Sequence, residues 1–143
     1  MYCRTIVICL LIIINGVNIS ISQDSKHSIE SEYANNSLKL VQAAMCESFE
    51  GIEPKNPSMI FSIATEKVIC FTFFNPVIED SYIFHKWYRK DKISTVRKLS
   101  LKSPQWATYS SIQLRETDKG PWRVEIVDPK GYTIDILRFS ITD

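Results

Sequence analysis

The chain has 143 residues, with 17 Lys and Arg against 16 Asp and Glu, for a formal charge of +1. That balance gives no general attraction for nucleic acid. Among the charged side chains only Arg4 lies within residues 1–22, so a chain shortened by that segment is neutral. The patterned remainder of about 105 residues suits one domain with a single modest core.

From the N-terminus, Tyr2, Cys3 and Arg4 precede an almost uninterrupted apolar run from Thr5 to Ile14, which Asn15, Gly16 and Asn18 then break. A membrane helix needs about 20 apolar residues. The shorter run therefore reads as a signal peptide over residues 1–22, with cleavage after Ser22 in the small-residue stretch Ser20-Ile21-Ser22. An exported domain, periplasmic or extracellular, is the expectation; an uncleaved N-terminal anchor would leave the same domain outside the cytoplasm but tethered. Cys3 and Cys9 leave with the signal, so Cys46 and Cys70 persist. Two cysteines in an exported chain predict one disulfide, which would stabilise a loop of about 25 residues by about 3 kcal/mol in the chain-entropy model. Two buried thiols are the alternative.

Residues 23–37 are polar and aperiodic and read as a linker. A β-sandwich domain is expected over residues 38–143. Leu38 to Cys46 turns apolar and reads as its first strand, although Leu38 to Met45 has helical propensity. Pro54 and Pro57 mark Glu53 to Ser58 as a loop, because proline has no N–H for a ladder. Further strands are predicted over Met59 to Ile63; over Lys67 to Asn75, which Pro76 ends; and over Ser81 to Arg89, with Lys90-Asp91 as a hairpin turn into Lys92 to Lys102. Trp106 to Leu114 follows. Trp122, Val124 and Ile126 then alternate with Arg123 and Glu125, the period-two pattern of a strand with one face in a core. Asp128-Pro129-Lys130-Gly131 reverses the chain, and Tyr132 to Thr142 is the last strand. About eight short strands with regular turn signals and no convincing helix predict an all-β, antiparallel, immunoglobulin-like sandwich.

Three motifs stand out: His85-Lys86-Trp87-Tyr88, Trp106-Ala107-Thr108-Tyr109-Ser110-Ser111, and Gly120-Pro121-Trp122-Arg123-Val124-Glu125. With Cys46, Pro54, Phe61, Cys70-Phe71-Thr72, Asp128, Gly131 and Phe139, they resemble the bacterial family known as domain of unknown function 2914. The resemblance runs from about Leu38 to Thr142 and implies an exported or membrane-tethered protein. It implies no activity, since none is established for that family. Where the family tends to carry Trp-Arg-Thr-Trp-Ser-Ser-Lys, this chain has Ala107 and Ile112, which removes the basic residues an anion would use there.

As chemistry-bearing residues, Trp87, Trp106 and Trp122 each offer about 200 Å² of burial on a predicted strand. They are core residues, or one or two of them form a stacking platform for a sugar or peptide. His85 is the domain's one histidine, because His27 lies in the linker. Alternation puts it on the face of Ile83 and Trp87, which predicts a half-buried ring donating to a carbonyl. A hydrolase would need His85 with Ser110 or Ser111 and Asp128 or Asp135, but no nucleophile-elbow spacing supports it. Metal-ligand spacing is missing as well, so neither a metal nor another cofactor is expected. Lys86, Arg89, Lys90, Lys92, Arg97, Lys98 and Lys102 give a local excess of six positive charges after subtracting Asp91. Such a basic strand pair can meet anionic lipid, lipopolysaccharide or an acidic partner; charged side chains also protect an exposed strand from aggregation.

The functional expectation is a non-catalytic module that binds or associates in the bacterial cell envelope, its partner an envelope protein or an anionic or cell-wall component. The candidate binding residues are His85, Trp87, Tyr88, Trp106, Trp122 and Arg123. Carbohydrate or cell-wall binding through an exposed tryptophan is the alternative, and hydrolysis a remote one.

Overall fold

Alternation between buried and less buried side chains, read above from Trp122 to Ile126, recurs from Ile83 to Tyr88 and from Phe139 to Thr142 in a computed structural model that describes residues 38–143. The signal peptide expected over 1–22, its cleavage and the linker over 23–37 lie outside the described residues.

Ten strands form: β1 (Leu38–Cys46), β2 (Ser48–Glu50), β3 (Glu53–Lys55), β4 (Ile60–Ser62), β5 (Lys67–Val77), β6 (Ser81–Arg89), β7 (Lys92–Leu101), β8 (Trp106–Gln113), β9 (Gly120–Val127) and β10 (Thr133–Thr142). Two 3₁₀ turns, Ile63–Thr65 and Glu116–Asp118, are the helical elements among the described residues. A three-stranded sheet has the order β1-β5-β8 and a five-stranded sheet the order β4-β10-β9-β6-β7. Pairing is antiparallel except between β4 and β10. The two sheets pack as the expected all-β sandwich.

The core lies between the sheets. Met45, Val68 and Cys70 from the smaller sheet meet Trp87, Trp122, Val124, Phe139 and Ile141 from the larger one. A second cluster joins Phe74 and Val77 to Ile83, Leu101 and Ile126. On the far side of the smaller sheet Phe71 is buried under a flap, where Phe49 lies 5.3 Å from the Phe71 ring and 4.8 Å from that of Tyr109.

That flap is the hairpin β2-β3, which corrects the loop read over Glu53 to Ser58. Pro54 sits in β3 opposite Phe49. A two-stranded ribbon has no second neighbour to demand an N–H from both sides, so proline is tolerated there, and Gly51 turns the hairpin at a φ of 57°. Nor does Pro76 end its strand, since β5 continues to Val77. The β5-β8 ladder stops at Phe74 opposite Trp106, so Pro76 lies past the point where that ladder requires a donor. The turn read at Lys90-Asp91 forms, both residues taking positive φ of 45° and 63°.

The expected disulfide does not form: Cys46 and Cys70 are free thiols, both buried. Register is the physical reason. Met45 stands opposite Cys70, and Cys46 opposite Ile69. Cross-strand partners share a face and successive residues do not, so Cys70 points into the inter-sheet core while Cys46 points to the flap side. Burial pushes the Cys46 thiol up to about 11 and that of Cys70 higher still. Both should therefore resist a disulfide-exchange reagent at pH 8 in the native protein and react on unfolding, with the same melting temperature with or without reductant. A melting temperature that falls on reduction would restore the disulfide.

Candidate functional site

One constellation lies sealed between the sheets. His85 on β6 is fully buried, with Nδ1 2.8 Å from Ser110 Oγ on β8 and Nε2 3.3 Å from Thr72 Oγ1 on β5. Trp87 Nε1–H donates to Ser110 Oγ at 2.9 Å, and the Thr72 hydroxyl donates to the Thr108 carbonyl at 3.3 Å. Donor and acceptor capacities then set one direction for the chain. Trp87 N–H donates to Ser110, whose hydroxyl donates to His85 Nδ1; His85 Nε2–H donates to Thr72, and Thr72 to Thr108. Every group is satisfied with a neutral imidazole. Burial accordingly lowers the His85 pKa to about 4.

This corrects the half-buried histidine donating to a carbonyl. Strands β5 and β8 of the opposite sheet cover the ring and present hydroxyls to it. The contact between His85 and Ser110 that a hydrolase would need thus exists, but it is closed to solvent, and the second ring nitrogen faces a threonine rather than a carboxylate. Asp128 is committed to its turn, accepting from the N–H groups of Lys130 and Tyr132 at 2.9 and 2.8 Å. Among the described residues no three His, Cys, Asp or Glu side chains cluster as metal ligands.

The tryptophans divide. Trp87 is fully buried, and Trp122 is 6% exposed with its indole N–H donating to the Asp118 carbonyl at 2.7 Å. Trp106, at the start of β8, remains 42% exposed.

The remaining candidates gather on the outer face of the five-stranded sheet. Register sets Ile93, Tyr88, Arg123 and Arg138 in one row across β7, β6, β9 and β10, and Val96, Lys86, Glu125 and Ile136 in the next. The Arg123 guanidinium lies 4.1 Å over the Tyr88 ring, its Nε donates to Glu125 at 3.0 Å, and it also pairs with Asp91. Those carboxylates, Glu125 first, raise the Arg123 pKa, while burial and then Glu125 raise that of Tyr88. Beside this row opens a cleft of about 180 Å³ lined by Tyr88, Lys90, Asp91, Pro121, Trp122, Arg123, Arg138 and Phe139. A second cleft, of about 310 Å³, lies on the other side of Arg138, among Met45, Met59 and Leu137.

The seven basic residues do not act as one patch. Lys102 pairs with Asp80 at 2.9 Å and Arg89 approaches Asp118 at 4.0 Å. Arg97 stands opposite inward-facing His85 at the open edge of the sheet, on the other side from Lys98. Lys98 caps the Tyr82 ring at 3.9 Å. Among the described residues no carboxylate lies within 4.0 Å of the charged nitrogens of Lys86, Lys90, Lys92, Arg97 or Lys98. Two participants escaped the sequence reading, Arg138 and Thr72. Alternation along β10 puts Arg138 outward, but its position opposite Arg123 follows only from the pairing register. Thr72 looks like an ordinary strand residue until β6 is laid across it.

Comparison with known proteins gives one family match over part of the chain. Residues 80–141 match the model of the family described as "Protein of unknown function (DUF2914)", a segment that holds β6 to β10. No curated protein matches the chain. Among solved structures, a mutant beta-glucosidase from Listeria innocua in complex with laminaribiose aligns at 8% identity and a TM-score of 0.42, over 74% of this chain and 16% of that one. Among the described residues no helix is long and apolar enough to cross a membrane.

Proposed function

Taking residues 80–141 as a segment of the DUF2914 family, we propose that the protein is a non-catalytic module that binds or associates in the bacterial cell envelope. It does so through the outer face of the five-stranded sheet. One observation carries this reading. The side chains that resemble catalytic machinery are locked in the core, whereas Tyr82, Lys86, Tyr88, Lys98, Arg123 and Arg138 stand on the opposite face of the same sheet, interleaving rings and charges as recognition surfaces do. The partner is an envelope protein or an anionic envelope component, met by an exported domain that follows a signal peptide over residues 1–22. A photo-crosslinking residue placed at Ile136 in living cells should give a discrete adduct, and one at Gln113, on the smaller sheet, should not. Equal labelling from both positions, or none from Ile136, would remove the assignment of the binding face.

Carbohydrate binding is the second reading, and the exposure of Trp106 is the observation that favours it. On the outer face of the five-stranded sheet the ring faces of Tyr82 and Tyr88 are taken, since they carry Lys98 and Arg123.

A further inference from the structure

The cleft beside Tyr88 carries a feature that strand pairing alone does not favour. Arg123 and Arg138 are directly opposite each other on adjacent antiparallel strands, an arrangement that costs stability through like-charge repulsion unless something neutralises it. Glu125, whose side chain is 19% exposed, holds Arg123 Nε and fixes the guanidinium plane against Tyr88. Arg123 also meets Asp91, whose side chain is 92% exposed at the tip of the β6-β7 hairpin. Arg138 has no carboxylate within 4.0 Å among the described residues. Lys90 and Arg138 line the same cleft.

These observations separate the two carboxylates. Glu125 is a half-buried positioning group. Asp91 is a solvated carboxylate on a hairpin tip, and an exposed pair of that kind contributes little and exchanges readily. It occupies the outer part of an oriented guanidinium, where a ligand oxyanion would sit. We propose that the Arg123–Arg138 cleft is an oxyanion site, for a carboxylate or phosphate group. The incoming group displaces Asp91 from Arg123, bridges to Arg138 and takes a further charge from Lys90, with the apolar surface of Pro121, Trp122 and Phe139 beside it. Arginine suits this role because its planar fork donates to two oxygens at once. The inference rests on the outer-face reading above and names the chemistry of its ligand.

Titration of the protein with inorganic phosphate and, separately, acetate at constant ionic strength tests this, read by the NMR shifts of the Arg123 and Arg138 side-chain N–H groups. Saturable shifts are expected. Arg138→Gln should weaken phosphate about tenfold, the loss of one charge-assisted contact. Asp91→Asn should tighten it several-fold by removing the internal competitor, and asparagine tolerates the positive φ at that position. Arg97→Gln, on the other side of the sheet, should leave affinity unchanged. All of these are surface changes and should melt with the parent. Absence of saturation, equal weakening by Arg97→Gln and Arg138→Gln, or an Asp91→Asn variant no tighter than the parent would each overturn the site. Phosphatidylglycerol vesicles form the last arm. If they bind with the same response to both variants, the group belongs to a lipid; if they do not bind while phosphate does, it belongs to a soluble or protein-borne oxyanion. Crosslinks from Ile136 that persist without phosphate binding would remove the ligand chemistry and leave the binding face. Phosphate binding without those crosslinks would do the reverse.

Discussion

Acidification from pH 6.5 to pH 4 should lower the stability of this protein by about 3 kcal/mol through His85 alone. The folded-state pKa is lowered to about 4, against about 6.5 in an unfolded chain. Between those values the unfolded state binds the extra proton and the native state does not, so stability falls as the pH drops through this window and is unaffected by His85 above it. The geometry says why the native state refuses the proton. A charged imidazole would have to donate from Nδ1, which now accepts from Ser110, and the displaced hydroxyl hydrogen would need a new acceptor between the sheets. Urea midpoints at pH 7, 5.5 and 4.5 check this. His85→Gln, neutral throughout, should flatten the slope between pH 6.5 and 4.5, leaving the carboxylates to act at lower pH. An unchanged slope in that variant would sink the assignment. Ser110→Ala at pH 7 should cost about 2–3 kcal/mol, because it orphans both the Trp87 N–H and His85 Nδ1.

Trp87→Ala should destabilise by about 3–5 kcal/mol, while Trp106→Ala should stay within about 0.5 kcal/mol of the parent. Both residues belong to aromatic motifs on predicted strands. Trp87 lies at the centre of the core, edge-on to Phe139 at 6.1 Å and bonded to Ser110. Removing it leaves a cavity and takes from the Ser110 hydroxyl the one donor it accepts from, while its bond to His85 remains. Trp106 is at a strand end and largely in solvent. Chemical denaturation of the two variants distinguishes them, and comparable losses would contradict the burial described. Since Trp106→Ala keeps its fold, it also decides the carbohydrate reading: a change in tryptophan fluorescence with glycan fragments must appear in the parent and vanish in this variant.

Much of the architecture was legible because period-two alternation is a local property. Trp122, Val124 and Ile126 declare their face without reference to any other strand, and the turns at Lys90-Asp91 and at Asp128 to Gly131 are written in residues that tolerate or favour reversal. Prolines misled where a strand had a neighbour on one side only, as at Pro54. The two cysteines misled for a different reason. Spacing gives the size of a loop, but whether two side chains share a face depends on register, and here a one-residue offset across β1 and β5 sends them to opposite sides of the sheet.

By itself, then, the sequence determined an all-β chain, its main strands and which side chains point inward. Tertiary structure alone decided that His85 is a sealed link in a chain of hydroxyls, that Cys46 and Cys70 are apart, and that Arg138 faces Arg123. The division is physical. Which face a side chain takes is set by its immediate neighbours, whereas what it meets there is set by strands brought in from 13 to 36 residues away, as the contacts of Thr72 with His85 and Thr108 show.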